Sequence, residues 1–335
     1  MSAPEGFRAD LIRTVQAGVP LTQRPFQALA EKLGQSERMV IDELGALSSE
    51  KILREISAVL EGSALGYDSA LVAGSVPEDR LQATVEAINA HPTVSHNYLR
   101  NHHFNLWFTI AVPPGMGLER TLELLAEEAS VEAFHPLRRT HTFKIGVNFD
   151  PVSMKNNTEV SVSSPLAPVD VGEREARFFR TLQTPLPLTE RPFDALAGQI
   201  DATGSELIAF ANDHLGNAIR RYVGTLRHRK LGVRENGMVV WRAASEEIGA
   251  AGDRLARAPE VSHCYARNGI EGFPYTLYSM VHGPTRESCQ ALARDLSREV
   301  GIDDYAVLFS EREFKKQRLR YFLPELDRWW DERVS

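Results

Sequence analysis

The heptapeptide Pro20-Leu21-Thr22-Gln23-Arg24-Pro25-Phe26 returns as Pro187-Leu188-Thr189-Glu190-Arg191-Pro192-Phe193, 167 positions later. Val94-Ser95-His96 returns at the same offset as Val261-Ser262-His263. One offset kept over roughly seventy residues marks an internal repeat, and each copy is then expected to fold as the same unit. The chain of 335 residues therefore reads as two like modules, or four small domains joined in pairs.

Composition narrows the class. The formal charge of -7, from 38 Lys+Arg against 45 Asp+Glu, disfavours strong non-specific adhesion to nucleic acid, although a local basic patch stays compatible with it. Cys264 and Cys289 are the two cysteines, too few for a disulfide framework or a cysteine-rich zinc site. Phosphate-cradling GxGxxG and GxxxxGK[ST] patterns are absent, and no HxxxH or carboxylate cluster predicts a metal. The N-terminus lacks a basic-then-apolar leader, and no apolar run has membrane-spanning length, so a soluble cytoplasmic protein with no membrane contact is expected.

Within the first copy, residues 7–17 form a helix, Thr22 caps a second through Leu33, Gly34 ends it, and Ser36 caps a third. Ile52 to Leu60 reads as a wing or its hairpin. Next come a strand at 69–76, a helix opened by Pro77, strands over Val94–Asn101 and Phe104–Val112, a helix over Leu118–Ala129 and a strand at Thr142–Val147. The second copy repeats the order, with strands at Met238–Trp241, Val261–Arg267, Tyr275–Val281 and Ala306–Phe309 and helices at Glu246–Arg257 and Arg286–Val300. The fold class is α+β: a tandem duplication, each half a winged helix-turn-helix followed by a ferredoxin-like βαββαβ domain. The divisions fall at 1–62, 63–155, a Ser/Pro/Asn-rich linker at 156–169, 170–232 and 233–335. Two helices cover one face of such a sheet. Its other face must be covered by a partner or used for a ligand.

Side chains two apart on a strand share a face, so His96, Tyr98 and Arg100 form one row and His263, Tyr265 and Arg267 another. Arginine is a poor guest beneath packing helices, which places both rows on the uncovered face. Guanidinium, phenol and imidazole together suit an anionic ligand, the alternative being a polar contact between domains. His102 and His103 follow at the bend, and His282 stands at a strand end opposite the second row. Lys315, Lys316, Arg318 and Arg320 form a basic run whose first-half counterpart is Lys144. Cys264 alternates away from His263, which leaves Cys/His nucleophilic catalysis little support. As a DNA reader the chain is ill equipped: Glu37 to Glu43 carries one Arg and three carboxylates, and Ser205 to Leu215 no Arg or Lys.

The strand motifs Val94-Ser95-His96-Asn97-Tyr98-Leu99-Arg100-Asn101-His102, Val261-Ser262-His263-Cys264-Tyr265 and Met280-Val281-His282-Gly283, with Glu313-Phe314-Lys315-Lys316-Gln317-Arg318, resemble those of the siroheme decarboxylases. The arrangement is similar to the fused form that joins D- and L-type subunits, in the wider fold of the leucine-responsive/asparagine regulators. The resemblance implies loss of the acetate carboxyls at positions 12 and 18 of siroheme, giving 12,18-didecarboxysiroheme for heme d1. It implies His96, His102, His263 and His282 as candidate acids, and Tyr98, Arg100, His103, Lys144, Tyr265, Arg267, Lys315 and Arg318 as ligand-binding groups. No cofactor beyond the iron tetrapyrrole substrate is expected, and no resident metal. Expected partners are siroheme, a second copy of the chain and homologous G- and H-type subunits, without DNA. The alternatives are a tetrapyrrole-sensing regulator and a non-catalytic subunit of a decarboxylase complex.

Overall fold

The computed structural model describes residues 6–145, 166–227 and 235–334. The first half runs α1 (Phe7–Ala17), α2 (Pro25–Leu33), α3 (Glu37–Ser49), β1 (Leu53–Leu60), β2 (Asp68–Gly74), α4 (Leu81–Ala90), β3 (His96–Arg100), β4 (Leu106–Val112), α5 (Leu118–Ala129) and β5 (Phe134–Lys144). The second half keeps the order: α6 (Glu173–Leu182), α7 (Pro192–Ala197), α8 (Gly204–Asp213), β6 (Ile219–Leu226), β7 (Glu235–Trp241), α9 (Ile248–Arg257), β8 (Val261–Arg267), β9 (Leu277–Gly283), α10 (Arg286–Val300) and β10 (Tyr305–Lys316). A last helix, α11 (Pro324–Val334), has no counterpart among the described residues of the first half.

Local chemistry sets the helix starts. Ser36 caps α3 by accepting the Met39 amide at 3.3 Å, as its position before an apolar run predicts. The expected cap at Thr22 is corrected to Arg24, because Pro25 lacks an N–H and has its φ preset for the first helical position. Thr203 and Glu206 make a reciprocal capping box on α8.

The expected wing is not a hairpin. β1 pairs antiparallel with β6 of the other half, from Leu53↔Leu226 to Leu60↔Ile219, as a separate two-stranded ribbon. Burying both strands' apolar sides draws the helical parts together. Leu11, Phe26 and Leu44 share one core with Phe179, Phe193, Leu207 and Tyr222. The burial of many such side chains, at about 25 cal/mol per Å² of apolar surface, favours this joint core over two separate ones.

Each half builds a four-stranded sheet in the ferredoxin-like order, β3-β4-β2-β5 and β8-β9-β7-β10. The edges then join across halves, β5 to β8 and β10 to β3, and close one eight-stranded barrel. The uncovered face of each sheet is thus covered by the other half. Phe104, Trp107, Leu137, Phe273, Tyr278 and Leu308 form one apolar cluster drawn from both sheets, while α4 with α5 and α9 with α10 carry two further cores.

The strands run longer than the sequence suggests. β5 begins at Phe134 and β10 continues to Lys316, so the basic run starts on a strand. Gly146 and Val147, residues 156–165 of the expected linker, and 228–232 lie outside the described residues. The described end of that linker is docked: Leu166 and Val169 pack on the shared core, and the Val169 amide donates to Ala64 O at 2.8 Å. α11 crosses back to the first half, where Leu326 and Trp329 join the core of Val85, Ile88 and Leu122, and Arg333 forks onto Glu128 at 2.9 and 3.0 Å. Among the described residues no helix is long and apolar enough to cross a membrane.

Candidate active site

β3 and β8 occupy opposite positions in the closed eight-strand order, so the two predicted rows face each other across the barrel. Each row is a ladder of stacked groups. His96 lies 6.1 Å from the Tyr98 ring, and the Arg100 guanidinium sits 5.4 Å over that ring. In the second row His263 lies 6.0 Å from Tyr265, and Arg267 sits 5.3 Å over it and 5.6 Å from Tyr278. Such cation–π contacts hold a guanidinium without neutralising it.

The arginines reach across the repeat. Arg100 Nη1 donates to Leu308 O on β10 at 2.9 Å, and Arg267 Nη1 donates to Leu137 O on β5 at 2.8 Å. In both side chains Nε is buried without a hydrogen-bond partner, and neither guanidinium has a carboxylate partner among the described residues. Burial pushes both pKa values down to about 10, leaving them cationic at neutral pH. Two deeply set cations without counter-ions are costly to fold around. An anionic ligand removes that cost.

At the other end of each ladder stands a Ser–His pair. Ser95 Oγ bonds His96 Nδ1 at 3.0 Å and Thr109 Oγ1 at 2.7 Å. Ser262 Oγ bonds His263 Nδ1 at 2.9 Å and His282 Nε2 at 2.6 Å. With Nδ1 taken by serine, each ring keeps Nε2 for another partner. Burial lowers the His96 pKa to about 4, helped by the charges of Lys316 and Arg54. Burial lowers His263 to about 4 as well, helped by His282, His96, Lys144 and Arg220. Both imidazoles are therefore neutral at pH 7 until a ligand's negative charge raises them.

The ribbon supplies the cations at this end. Arg54 on β1 acts on His96, and Arg220 at the matching place on β6 acts on His263. Their settings differ. Arg220 contacts Glu61, which also meets Arg139 at 3.6 Å; burial would raise the Glu61 carboxyl, but Arg220, Ser63 and Arg139 hold it below its ordinary value. Arg54 has no carboxylate partner among the described residues. Arg54, Arg139, Arg220, Ser95 and Ser262 were missed by reasoning on the strands alone. The serines were visible as the residue preceding the histidine in both copies.

The remaining expected site residues lie elsewhere. His102 and His103 stand past the far end of β3, roughly 13 Å of strand from His96. There His102 Nδ1 accepts the Phe104 amide at 3.1 Å and its ring packs on Phe273, while His103 is exposed. The structure thus separates them from the His96 centre. Lys144 and Lys315 are not brought into the ladders: Lys144 Nζ donates to Ala258 O at 2.9 Å and Lys315 Nζ to Asn89 O at 2.8 Å, at the C-terminal ends of α9 and α4. Helix-end carbonyls are natural partners for ammonium groups. Arg318 is held on β1 by Glu55 at 3.0 Å, Ser57 and Ala58 O. His282, by contrast, is drawn into the His263 centre. Cys264 points away, its Sγ toward Gly252 O on α9. Among the described residues no cluster of three or more His, Cys, Asp or Glu is arranged to hold a metal.

A barrel closed from two ferredoxin-like sheets, carried beside helix-turn-helix parts, defines a protein of the AsnC-like ligand-binding class. Residues 64–144 and 230–315 match the AsnC-like ligand binding domain, and residues 9–54 match the siroheme decarboxylase NirDL-like HTH domain. The chain is 38% identical over 331 residues to a siroheme decarboxylase of Hydrogenobacter thermophilus, covering 97% of this chain and 98% of that protein. It is 36% identical over 147 residues to a siroheme decarboxylase beta subunit of Methanosarcina barkeri, covering 44% of this chain and 97% of that subunit. The crystal structure of the siroheme decarboxylase NirDL in co-complex with an iron-uroporphyrin III analogue superposes with a TM-score of 0.82 at 34% identity, covering 98% of both chains. The chain belongs to the siroheme decarboxylase family.

Proposed function

We propose that this chain converts siroheme to 12,18-didecarboxysiroheme, releasing two acetate carboxyls as carbon dioxide, on the route to heme d1. The observation that carries the reading is the opposed pair Arg100, buried, and Arg267, half-buried with its Nε enclosed, each cationic and without a carboxylate partner among the described residues, in a chain of this family. A flat tetrapyrrole ringed by carboxylates matches such a site: guanidinium groups take carboxylates, and Tyr98 and Tyr265 offer ring faces. Arg54 and Lys316, beside His96, are further anchors for the rim of the ring.

The step consumes no oxidant or reductant, and in this reading the macrocycle of the substrate itself is the electron sink, with no cofactor beyond the iron tetrapyrrole. The bond between the acetate methylene and its carboxyl breaks, carbon dioxide leaves, the electron pair is delocalised into the macrocycle, and the methylene takes a proton to become methyl. His96 and His263 are the proposed general acids, each presenting Nε2 with Nδ1 anchored on serine. Like the full-length match of a separate subunit to less than half of this chain, the repeated element order supports two fused subunits of tandem origin, divided within 145–172. Fusion keeps both ladders at high effective concentration. A DNA-reading role finds little support: Arg38 on α3 is paired with Asp42 at 3.0 Å, and Arg24 with Glu37.

Anaerobic incubation of the purified full-length chain with siroheme, followed by product mass, tests the reading. Stepwise loss of two carbon dioxide equivalents is the expected result. Tight binding with unchanged siroheme, relieved by homologous G- and H-type subunits, moves the chain to a subunit of a larger decarboxylase. Absence of binding overturns the proposal.

A further inference from the structure

The two Ser–His pairs end differently. Ser95 passes its second hydrogen bond to Thr109, whose hydroxyl also accepts the His96 amide at 3.2 Å. That branch holds no titratable group besides His96. Ser262 passes its second hydrogen bond to the imidazole of His282. Ser262 is 1% exposed and screened from bulk water, while His282 is half-buried at the end of β9, followed by the exposed residues Pro284 to Glu287. A continuous path His263 Nδ1, Ser262 Oγ, His282 Nε2 thus runs from the ladder to the end of β9, with links of 2.9 and 2.6 Å, where the outer ring nitrogen, His282 Nδ1, lies buried just beneath the exposed turn.

Each carboxyl loss consumes one proton, so the acid that donates it must be recharged before it donates again. We propose that His282 and Ser262 form a proton relay that feeds His263. The inference rests on the reading above that His263 faces the substrate. His263 gives its Nε2 proton to the methylene carbon as carbon dioxide leaves; the Ser262 hydroxyl proton moves to His263 Nδ1; Ser262 takes the Nε2 proton of His282; and His282 is recharged at Nδ1 by water admitted when the exposed turn beside β9 moves aside. The carbon gains one proton, the relay ends one proton short, and solvent restores it. With the relay intact, a neutral His263 can act as donor without passing through an imidazolate. Without it, only the imidazolium form can donate. The other groups around the path are His96 on β3, Lys144 on β5 and Arg220 on β6, with Glu260 before β8, Glu235 on β7 and Arg286 on α10 near the outer end. In their charged states the cations oppose formation of that imidazolium. His282 and Ser262 act through His263 and are positioning residues.

The test is the pH–rate profile of the full-length enzyme on siroheme, with siroheme binding followed spectroscopically to establish folding. His282→Gln and Ser262→Ala are each expected to slow decarboxylation at about pH 7.5 by at least about tenfold, within the range a general acid contributes. Most of that loss is expected to be recovered near pH 5.5, where the imidazolium form is more populated. Ser95→Ala lowers the rate without moving the acid limb. If Ser262→Ala does not fold, His282→Gln carries the test alone. Profiles parallel to wild type in the relay variants, with His263→Ala inactive, sink the relay and leave His263 as the acid. Full activity of His263→Ala removes the reading of the site, and the relay with it.

Discussion

His91 offers a quantitative test of how the halves are fastened together. Its ring is fully buried at the C-terminal end of α4, edge-on to Trp329 of α11 at 4.4 Å, with Nδ1 accepting from the Thr93 amide at 3.3 Å. Burial, then the charges of Lys315 and Arg333, push its pKa down to about 3. The unfolded chain protonates this imidazole at about 6.5, and the folded chain refuses the proton until far lower pH. Between those values the unfolded state binds more protons, so stability rises with pH and is lost as pH falls. One proton corresponds to about 1.36 kcal/mol per pH unit, so lowering the pH from about 7.5 to 5 costs about 2 kcal/mol through His91 alone. His91→Gln keeps an acceptor for Thr93 and removes the titration. The variant is expected to be less stable than wild type at pH 7.5, with the gap narrowing by about 2 kcal/mol at pH 5. Equilibrium urea unfolding at the two pH values reads this, with other groups' contributions cancelling in the difference. A gap that stays constant across that interval refutes the assignment of a proton-refusing His91.

Arg267→Met separates binding from stability. Replacing a half-buried cation that lacks a carboxylate partner among the described residues by an apolar side chain of like length is expected to leave the melting temperature unchanged or raised, while siroheme affinity falls about tenfold or more; a calorimetric melt and a spectral titration check both, and loss of stability with unchanged affinity contradicts the ligand role. In Gly252→Ala the added Cβ would collide with the ring of Phe143, which is 4% exposed and packed in the α9/α10 core. A loss of about 1–3 kcal/mol in urea unfolding is expected, and a neutral result means that α9 slides freely on β5.

The repeat made the element order readable, and strand alternation placed His96, Tyr98 and Arg100 on one face and Cys264 on the other. Lys144 and Lys315, expected at the ligand from the resemblance, are turned from the ladders for a local reason. The pairing of β5 with β8 shifts register between Thr142 and Lys144, and that of β10 with β3 shifts between Glu313 and Lys315, the same irregularity in both copies. A bulge re-aims the next side chain, and here each lysine ends on helix C-terminal carbonyls. Period-two patterning carries no record of such a shift, because the extra residue leaves the apolar sequence on either side intact. His102, expected at the bend, stands there past the end of β3, at the Arg100 end of the ladder and away from His96.

Which strand lies beside which was equally hidden, and for a more general reason. The apolar faces of β1 and β5 are satisfied by any antiparallel neighbour of the right length, so their sequences do not say whether that neighbour comes from the same half or the other. In the fold it comes from the other at every junction: β1 with β6, β5 with β8, β10 with β3. The buried arginines follow the same rule, each bonding a carbonyl on the opposite half's last strand. An isolated half would expose both sheet edges, leave its ribbon strand unpaired and strip its arginine of that carbonyl. The two copies are then free to diverge at the ends of their ladders, one closing on Thr109 and the other continuing to His282, because the shared barrel constrains only what passes between them.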